Sequence, residues 1–116
     1  MPVCSVYIRG EPRLPRAQAE GKKNATSGVN ITVSQADFTN LKRQIRETLR
    51  FLEKYKSALA RIRRTPGVEQ ITLDFGVAAR DVAAQFDSFP PELLLAAGKL
   101  GIGLEISWYQ AFTTGG

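Results

Sequence analysis

Few residues of this sequence could carry out covalent chemistry. The chain of 116 residues has no histidine and one cysteine, Cys4, which excludes imidazole acid–base catalysis, Ser-His and Cys-His nucleophile pairs, and zinc sites built from imidazole or thiolate clusters. Asp74 and Glu105 remain as a catalytic pair, because glycoside chemistry uses two carboxylates about 5 to 9 Å apart across a cleft. The short chain shows no cleft-forming insertion, so a carboxylate-based enzyme is one alternative and not the main interpretation.

No cofactor or metal site is predicted. Gly101-Ile102-Gly103 lies where a helix is expected to end and a strand to begin, whereas dinucleotide-binding loops run from strand to helix. These glycines therefore indicate a helix end followed by a closely packed strand. Cys4 lies among apolar residues of the first predicted strand, which favours a small buried side chain over a reactive thiol, and no disulfide can form within the chain.

Charge is distributed unevenly along the chain. Residues 1–66 contain 14 Lys or Arg and 5 Asp or Glu, whereas residues 67–116 contain 2 and 6. Such asymmetry indicates internal pairing, an acidic protein partner or a nucleic-acid surface. The largest basic cluster falls opposite the apolar stripe of a long predicted helix, interrupted by Glu47 and Glu53; it consists of Arg43, Arg46, Arg50, Lys54 and Arg61. A solvated helix face is typically charged, and this one is also a candidate surface for an acidic protein partner or for nucleic acid.

The elements that must position these residues follow from periodicity. Alternating apolar residues predict strands over 3–9, 29–34, 70–77 and 102–109. Apolar spacings of three and four predict one amphipathic helix, capped by Ser34 or Asp37 and ended by Thr65-Pro66-Gly67. A short Ala-rich helix is expected over 78–86, and a second substantial helix starts at Pro90-Pro91 and ends at Gly101.

This pattern predicts a single α+β domain over 1–116, in which a long amphipathic helix and a shorter helix cover one face of a four-stranded mixed sheet. The expected order is β-β-α-β-α-β. Residues 10–28, rich in Pro, Gly and Lys, predict a mobile loop, and residues 113–116 a frayed tail. The long helix also has the spacing of a heptad seam, which would allow a homodimer through it.

Each strand then presents one face to the helices and one to solvent. The predicted core comprises Ile31, Val33, Ile71, Leu73, Phe75, Leu104, Ile106 and Trp108, with Leu41, Ile45, Leu52 and Leu59 from the helix. The uncovered face carries polar and amphipathic residues, among them Tyr7, Asp74, Glu105 and Tyr109. Tyrosines next to acids and hydroxyls suit protein docking, whereas a sheet that reads RNA needs aromatics among basic residues.

No stretch approaches the roughly 18 apolar residues of a membrane span, and 1–5 lack a secretory pattern. A cytoplasmic protein without a membrane partner is therefore expected.

The C-terminal stretch carries a resemblance. Ile71-Thr72-Leu73-Asp74-Phe75, Phe89-Pro90-Pro91-Glu92-Leu93-Leu94 and Gly101-Ile102-Gly103-Leu104-Glu105-Ile106-Ser107 resemble the end of a family of small bacterial domains of unknown function. Some members are thought to act as immunity proteins near polymorphic toxins. The similarity covers residues 68–109, its motifs are structural, and the N-terminal half departs from the pattern.

Together these observations predict a non-catalytic domain that binds another protein, with an immunity-type inhibitor of a bacterial toxin as the most concrete form. A nucleic-acid-binding protein that uses the basic N-terminal half is the other alternative beside the enzyme.

Overall fold

The computed structural model describes residues 2–10 and 28–110, which form one four-stranded mixed sheet with three helices. In chain order the elements are β1 Cys4–Gly10, β2 Gly28–Ser34, α1 Leu41–Lys54, α2 Lys56–Arg64, β3 Val68–Ala79, α3 Pro91–Lys99 and β4 Gly103–Gln110. The α+β class and the single mixed sheet are confirmed. The predicted order is wrong at one point, since two helices stand where one was expected. The loop predicted over 10–28, except its end residues, and the tail 113–116 lie outside the described residues.

The sheet has the strand order β2-β1-β3-β4. β1 lies antiparallel to both β2 and β3, and β3 lies parallel to β4. Parallel neighbours need a crossover connection, which here contains α3. The order places β2 and β4 at the two edges, and their neighbours β1 and β3 at the centre.

The core lies between the sheet and the helices. Its central members are Ile71, Leu73 and Phe75 of β3, each fully buried. All three helices contribute to the same apolar cluster, through Ile45 and Leu52 of α1, Leu59 of α2, and Leu93 and Ala97 of α3. The prediction that the helices cover one face of the sheet is therefore confirmed.

Three predicted core residues, all on edge strands, are more exposed than expected. Ile106 and Trp108 of β4 pair with Phe75 and Val77 of β3, so they lie on the helix side of the sheet. Their exposed fractions are nevertheless 38% and 56%, because β4 is an edge strand and the helix layer does not cover it fully. Ile31, on the opposite edge strand, is 37% exposed for the same reason.

The long predicted helix begins later and breaks. Asn40 caps α1 by accepting a hydrogen bond from the Arg43 N–H at 3.1 Å, so the predicted caps Ser34 and Asp37 are wrong. Tyr55, with φ −110° and ψ 18°, separates α1 from α2. Leu52 and Leu59 lie on either side of this break and both remain buried, so each segment keeps its contact with the sheet. The apolar stripe is thereby used within the chain, which argues against the predicted heptad seam.

The Ala-rich helix predicted over 78–86 is also wrong. β3 continues to Ala79, and the loop that follows is organised by Gln85. Its side-chain oxygen accepts from the Arg80 N–H at 2.8 Å, while its amide nitrogen donates to the Ala78 carbonyl at 3.0 Å. These bonds supply partners for backbone groups that a helix would have paired internally.

Gln44 joins α1 to β3. This fully buried side chain accepts a hydrogen bond from the Gly76 N–H at 3.2 Å and donates to the Gly76 carbonyl at 2.7 Å. Its nitrogen also donates to the Asp37 carbonyl at 3.0 Å. The amide thus pairs with Gly76 as a neighbouring strand would, beyond the point where the β1–β3 pairing ends. Next to it, the Phe38 carbonyl accepts from the Ala78 N–H at 3.0 Å.

None of the three helices described combines the length and apolar character needed to cross a membrane.

Candidate interaction surfaces

The outward side of α1 and α2 is basic. These helices and Tyr55 between them contain nine Lys or Arg and two Glu. Eight of these cations are exposed. Helical spacing places six of them, together with the exposed Glu53, on one outward side, which is here called the basic helical face and has the cations Lys42, Arg46, Arg50, Lys54, Arg61 and Arg64. Because like charges at this density repel each other, the face would be stabilised by an anionic partner.

The structure confirms the exposure of four of the five predicted basic residues. Arg43 differs: it is half-buried, and its Nε donates to Glu47 Oε2 at 2.8 Å. Lys42 and Arg64 belong to the face but were missed. The signal that locates them is helical spacing, since Lys42 precedes Arg46 by four residues and Arg64 follows Arg61 by three. Lys54 also lies over the Tyr55 ring, with Nζ 5.3 Å from its centroid.

Glu47 is the acid that anchors this helical segment to the sheet. Its Oε1 accepts from the Ser34 hydroxyl at 2.7 Å and from the Gln35 N–H at 3.1 Å, while Oε2 accepts from Arg43. The hydrogen bonds from Arg43 and Ser34 lower the pKa of Glu47 from 4.5 to about 2. The carboxylate therefore holds the end of β2 against α1 and is part of the scaffold.

The face of the sheet opposite the helices is the polar sheet face, which carries Tyr7, Asp74, Glu105 and Tyr109. Asp74 and Glu105 are register partners in the β3–β4 pair. They lie side by side on an open sheet surface, not across a cleft as the glycoside mechanism requires. The Asp74 carboxylate accepts from the Ser107 hydroxyl at 2.8 and 3.0 Å, so this acid already has a partner within the chain.

The two tyrosines of the polar sheet face are also held by neighbours. Tyr109 stacks on Phe38, with ring centroids 5.5 Å apart and planes within 13°. The Tyr7 ring lies where a side chain at Gly28 would be, so a larger residue at 28 would displace this ring. The structure thus brings the four predicted residues to one face, with Tyr7 and Asp74 half-buried and Glu105 and Tyr109 exposed.

A third surface was not predicted. Among the described residues, seven of the ten exposed large apolar side chains occur after residue 80. Trp108 and Ile106 lie on β4, and Phe86, at 84% exposed, and Val82 follow the end of β3. Since parallel β3 and β4 end at the same side of the sheet, these two segments share one end of the molecule. Sequence alternation could not reveal this surface, because it depends on which strand lies at the edge.

Cys4 is buried as predicted. Its Sγ lies 3.3 Å from the Thr48 hydroxyl, and burial raises the pKa of the thiol from 9.0 to about 11. The thiol is therefore protonated at neutral pH and shielded from reagents. Within 2–10 and 28–110, no three side chains of the His, Cys, Asp and Glu types gather as a metal site requires.

The resemblance of residues 68–109 to small bacterial domains stays a prediction. A scan against protein-family models, a search of curated proteins and a search of solved structures each find no match for this chain.

Proposed function

We propose that this chain is a non-catalytic protein-binding domain that docks an acidic partner on the basic helical face. The observation that carries the proposal is the exposure of six cations on one side of α1 and α2. An immunity-type inhibitor of a bacterial toxin is the most concrete form, and it rests on the resemblance of residues 68–109. In that form the acidic partner is the toxin.

The partner of the basic helical face is taken as a protein for three reasons. A surface that binds single-stranded nucleic acid combines cations with aromatic platforms, and the aromatic beside this face, Tyr55, is already engaged by Lys54 and by Phe51, whose ring lies 4.8 Å away. The polar sheet face, where stacking aromatics would read RNA, carries the acids Asp74 and Glu105. Exposed apolar side chains after residue 80 further favour protein contacts.

The carboxylate-based enzyme has less support than either binding function. Its two acids are strand neighbours on an open face, and Asp74 is bonded to Ser107.

A charge reversal with a matched control tests the proposal. The test variant is Arg46→Glu with Arg50→Glu, two exposed positions of α1. The control, Arg63→Glu with Lys99→Glu, changes the net charge equally at exposed positions of α2 and α3 outside the basic helical face. The partner is first cross-linked to the wild-type chain, identified and purified. Association rates are then measured by stopped flow at low and high salt.

The test variant should lower the association rate at low salt by about tenfold, because attraction between opposite charges accelerates encounter. High salt should remove most of this difference. Equal rates for test and control variants would contradict the proposal and move the site to the polar sheet face. Tighter binding of the wild-type chain to a random-sequence DNA duplex than to the purified protein, with a steep salt slope, would instead support the nucleic-acid alternative.

A further inference from the structure

The two edges of the sheet differ in how they are protected. An exposed strand edge offers unpaired N–H and C=O groups to any other strand, and proteins blunt such edges with bulges, charges, prolines or covering elements. β2 is blunted in this way. Its pairing with β1 shifts register between Cys4 and Ser5, and both Ser34 and Gln35 are bonded to Glu47 of α1.

β4 shows none of these devices within the described residues. It pairs with β3 along all eight residues without a register shift. The strand contains neither proline nor a basic residue, and its one charge, Glu105, points to the polar sheet face. On the helix side, Ile106 and Trp108 are 38% and 56% exposed. A long, regular and apolar edge is the kind that recruits another strand.

We infer that β4 pairs antiparallel with β4 of a second copy of this chain, across a two-fold axis, to form a continuous eight-stranded sheet. The occupant is a second copy because the edge is complementary to itself. With Ser107 on the axis, Ile106 of each copy lies opposite Trp108 of the other. This arrangement covers both exposed apolar side chains with a β-branched and aromatic pair, which stabilises a sheet.

Charge disfavours one alternative register and permits the dimer. With Ser107 on the axis, Glu105 lies opposite Tyr109 of the other copy, whereas an axis at Glu105 would place two carboxylates face to face and destabilise the pair. α1 packs on β2 and β3, and α3 is the helix that packs on β4. The helix next to the axis is therefore α3, which does not carry the basic helical face. Its charged residues Glu92 and Lys99 are opposite in sign.

In this register seven described residues of each copy, 104–110, pair across the axis, since Leu104 of each copy lies opposite Gln110 of the other. This backbone pairing is supplemented by two copies each of Ile106 and Trp108. The dimer leaves the basic helical face accessible, so it is independent of the proposed function.

The first test uses matched lysine substitutions. Trp108→Lys introduces at the edge the residue that natural proteins use to block strand pairing. Val29→Lys is the control, because Val29 is 55% exposed and lies on β2 at the opposite edge. Sedimentation velocity over a range of protein concentrations should show a wild-type dimer. Trp108→Lys should raise its dissociation constant at least about tenfold, and Val29→Lys should leave it unchanged.

The second test locates the axis without depending on that variant. Ser107→Cys on the axis would place two thiols on strands whose Cα atoms are about 4.5 to 5.5 Å apart, within disulfide reach. Cys4 is buried and protonated, so it does not compete. Under a mild oxidant Ser107→Cys should form a covalent dimer much faster than Thr32→Cys on β2. A wild-type chain that is monomeric at every concentration, a dimer unaffected by Trp108→Lys, or faster cross-linking at Thr32→Cys would overturn the inference.

Discussion

The basic helical face and the β4 edge are both exposed, yet they arise differently. The cations of the basic helical face point outward because α1 and α2 bury their opposite side, as Ile45, Leu52 and Leu59 show. Ile106 and Trp108 are exposed although they point to the same side as the buried residues of β3. The outward direction of a helix residue follows from local spacing, whereas the exposure of a strand residue depends on which strands lie beside it.

The two regions also differ in what they do for the fold. The basic helical face contributes charge and solvation, and none of its six cations belongs to the buried core. The β4 edge is continuous with β3, the strand that carries the centre of the core. Four variants, from the largest expected change in stability to the smallest, test whether this division is correct.

Leu73→Ala should have the largest effect, because Leu73 is fully buried at the centre of β3. The cavity should lower the free energy of unfolding by about 2 to 5 kcal/mol, measured by urea denaturation. Ile31→Ala is the control at a half-exposed edge position and should cost less. Because Leu73 belongs to the apolar cluster that the sheet and the helices share, the sheet and the helices should unfold in a single transition. Two separate transitions would show that the helices and β4 fold independently.

Gln44→Met removes the amide that links α1 to β3 while keeping the side-chain volume similar. It leaves the Gly76 N–H and C=O without the partner shown in the structure, and an unsatisfied buried polar group costs about 1 to 3 kcal/mol. Lys42→Met, an exposed change on the same helix, is the control. Thermal and urea unfolding measure the difference. Equal stabilities of Gln44→Met and the wild type would mean that Gly76 finds another partner and that Gln44 does not hold α1 and β3 together.

The stability of the β2–α1 junction should depend on pH through Glu47. Its pKa is lowered from 4.5 to about 2 in the folded chain, so its contribution is fully present above about pH 4.5. That contribution is lost as the pH falls from 4.5 toward 2. The free energy of unfolding of Glu47→Gln should therefore fall less than that of the wild type between pH 6 and 3. Glu53→Gln, an exposed carboxylate of the same helix, is the control. Identical pH profiles for the wild type and Glu47→Gln would contradict this role.

Arg46→Glu with Arg50→Glu should have the smallest effect on stability. Both side chains are exposed on the basic helical face. Each substitution should therefore change the free energy of unfolding by no more than about 0.5 kcal/mol. The same double variant is the one expected to slow partner association. A loss of several kcal/mol would show that the basic helical face supports the fold, and association data for this variant would then report unfolding.

Part of the candidate site was predictable. Helical spacing predicted the exposure of Arg46, Arg50, Lys54 and Arg61, and the same spacing contained Lys42 and Arg64. The pairing of Arg43 with Glu47 follows from spacing as well, because four residues separate them on one helix. The bonds of Ser34 and Gln35 to the same carboxylate could not be predicted, because only the packing of β2 on α1 brings them there. The polar sheet face was predicted as a set, since strand alternation is a local property.

The sequence by itself determined the α+β class, the buried face of β3 and the outward side of the helices, because each depends on periodicity within a few residues. Only the tertiary structure decided three other features. The long helix is interrupted at Tyr55, between two segments that both contact the sheet. A loop organised by Gln85 stands where a helix was predicted. The strand β4 lies at the edge of the sheet. Each depends on contacts between residues that local periodicity does not relate, and Ile106 and Trp108 are exposed because no described strand lies beyond β4.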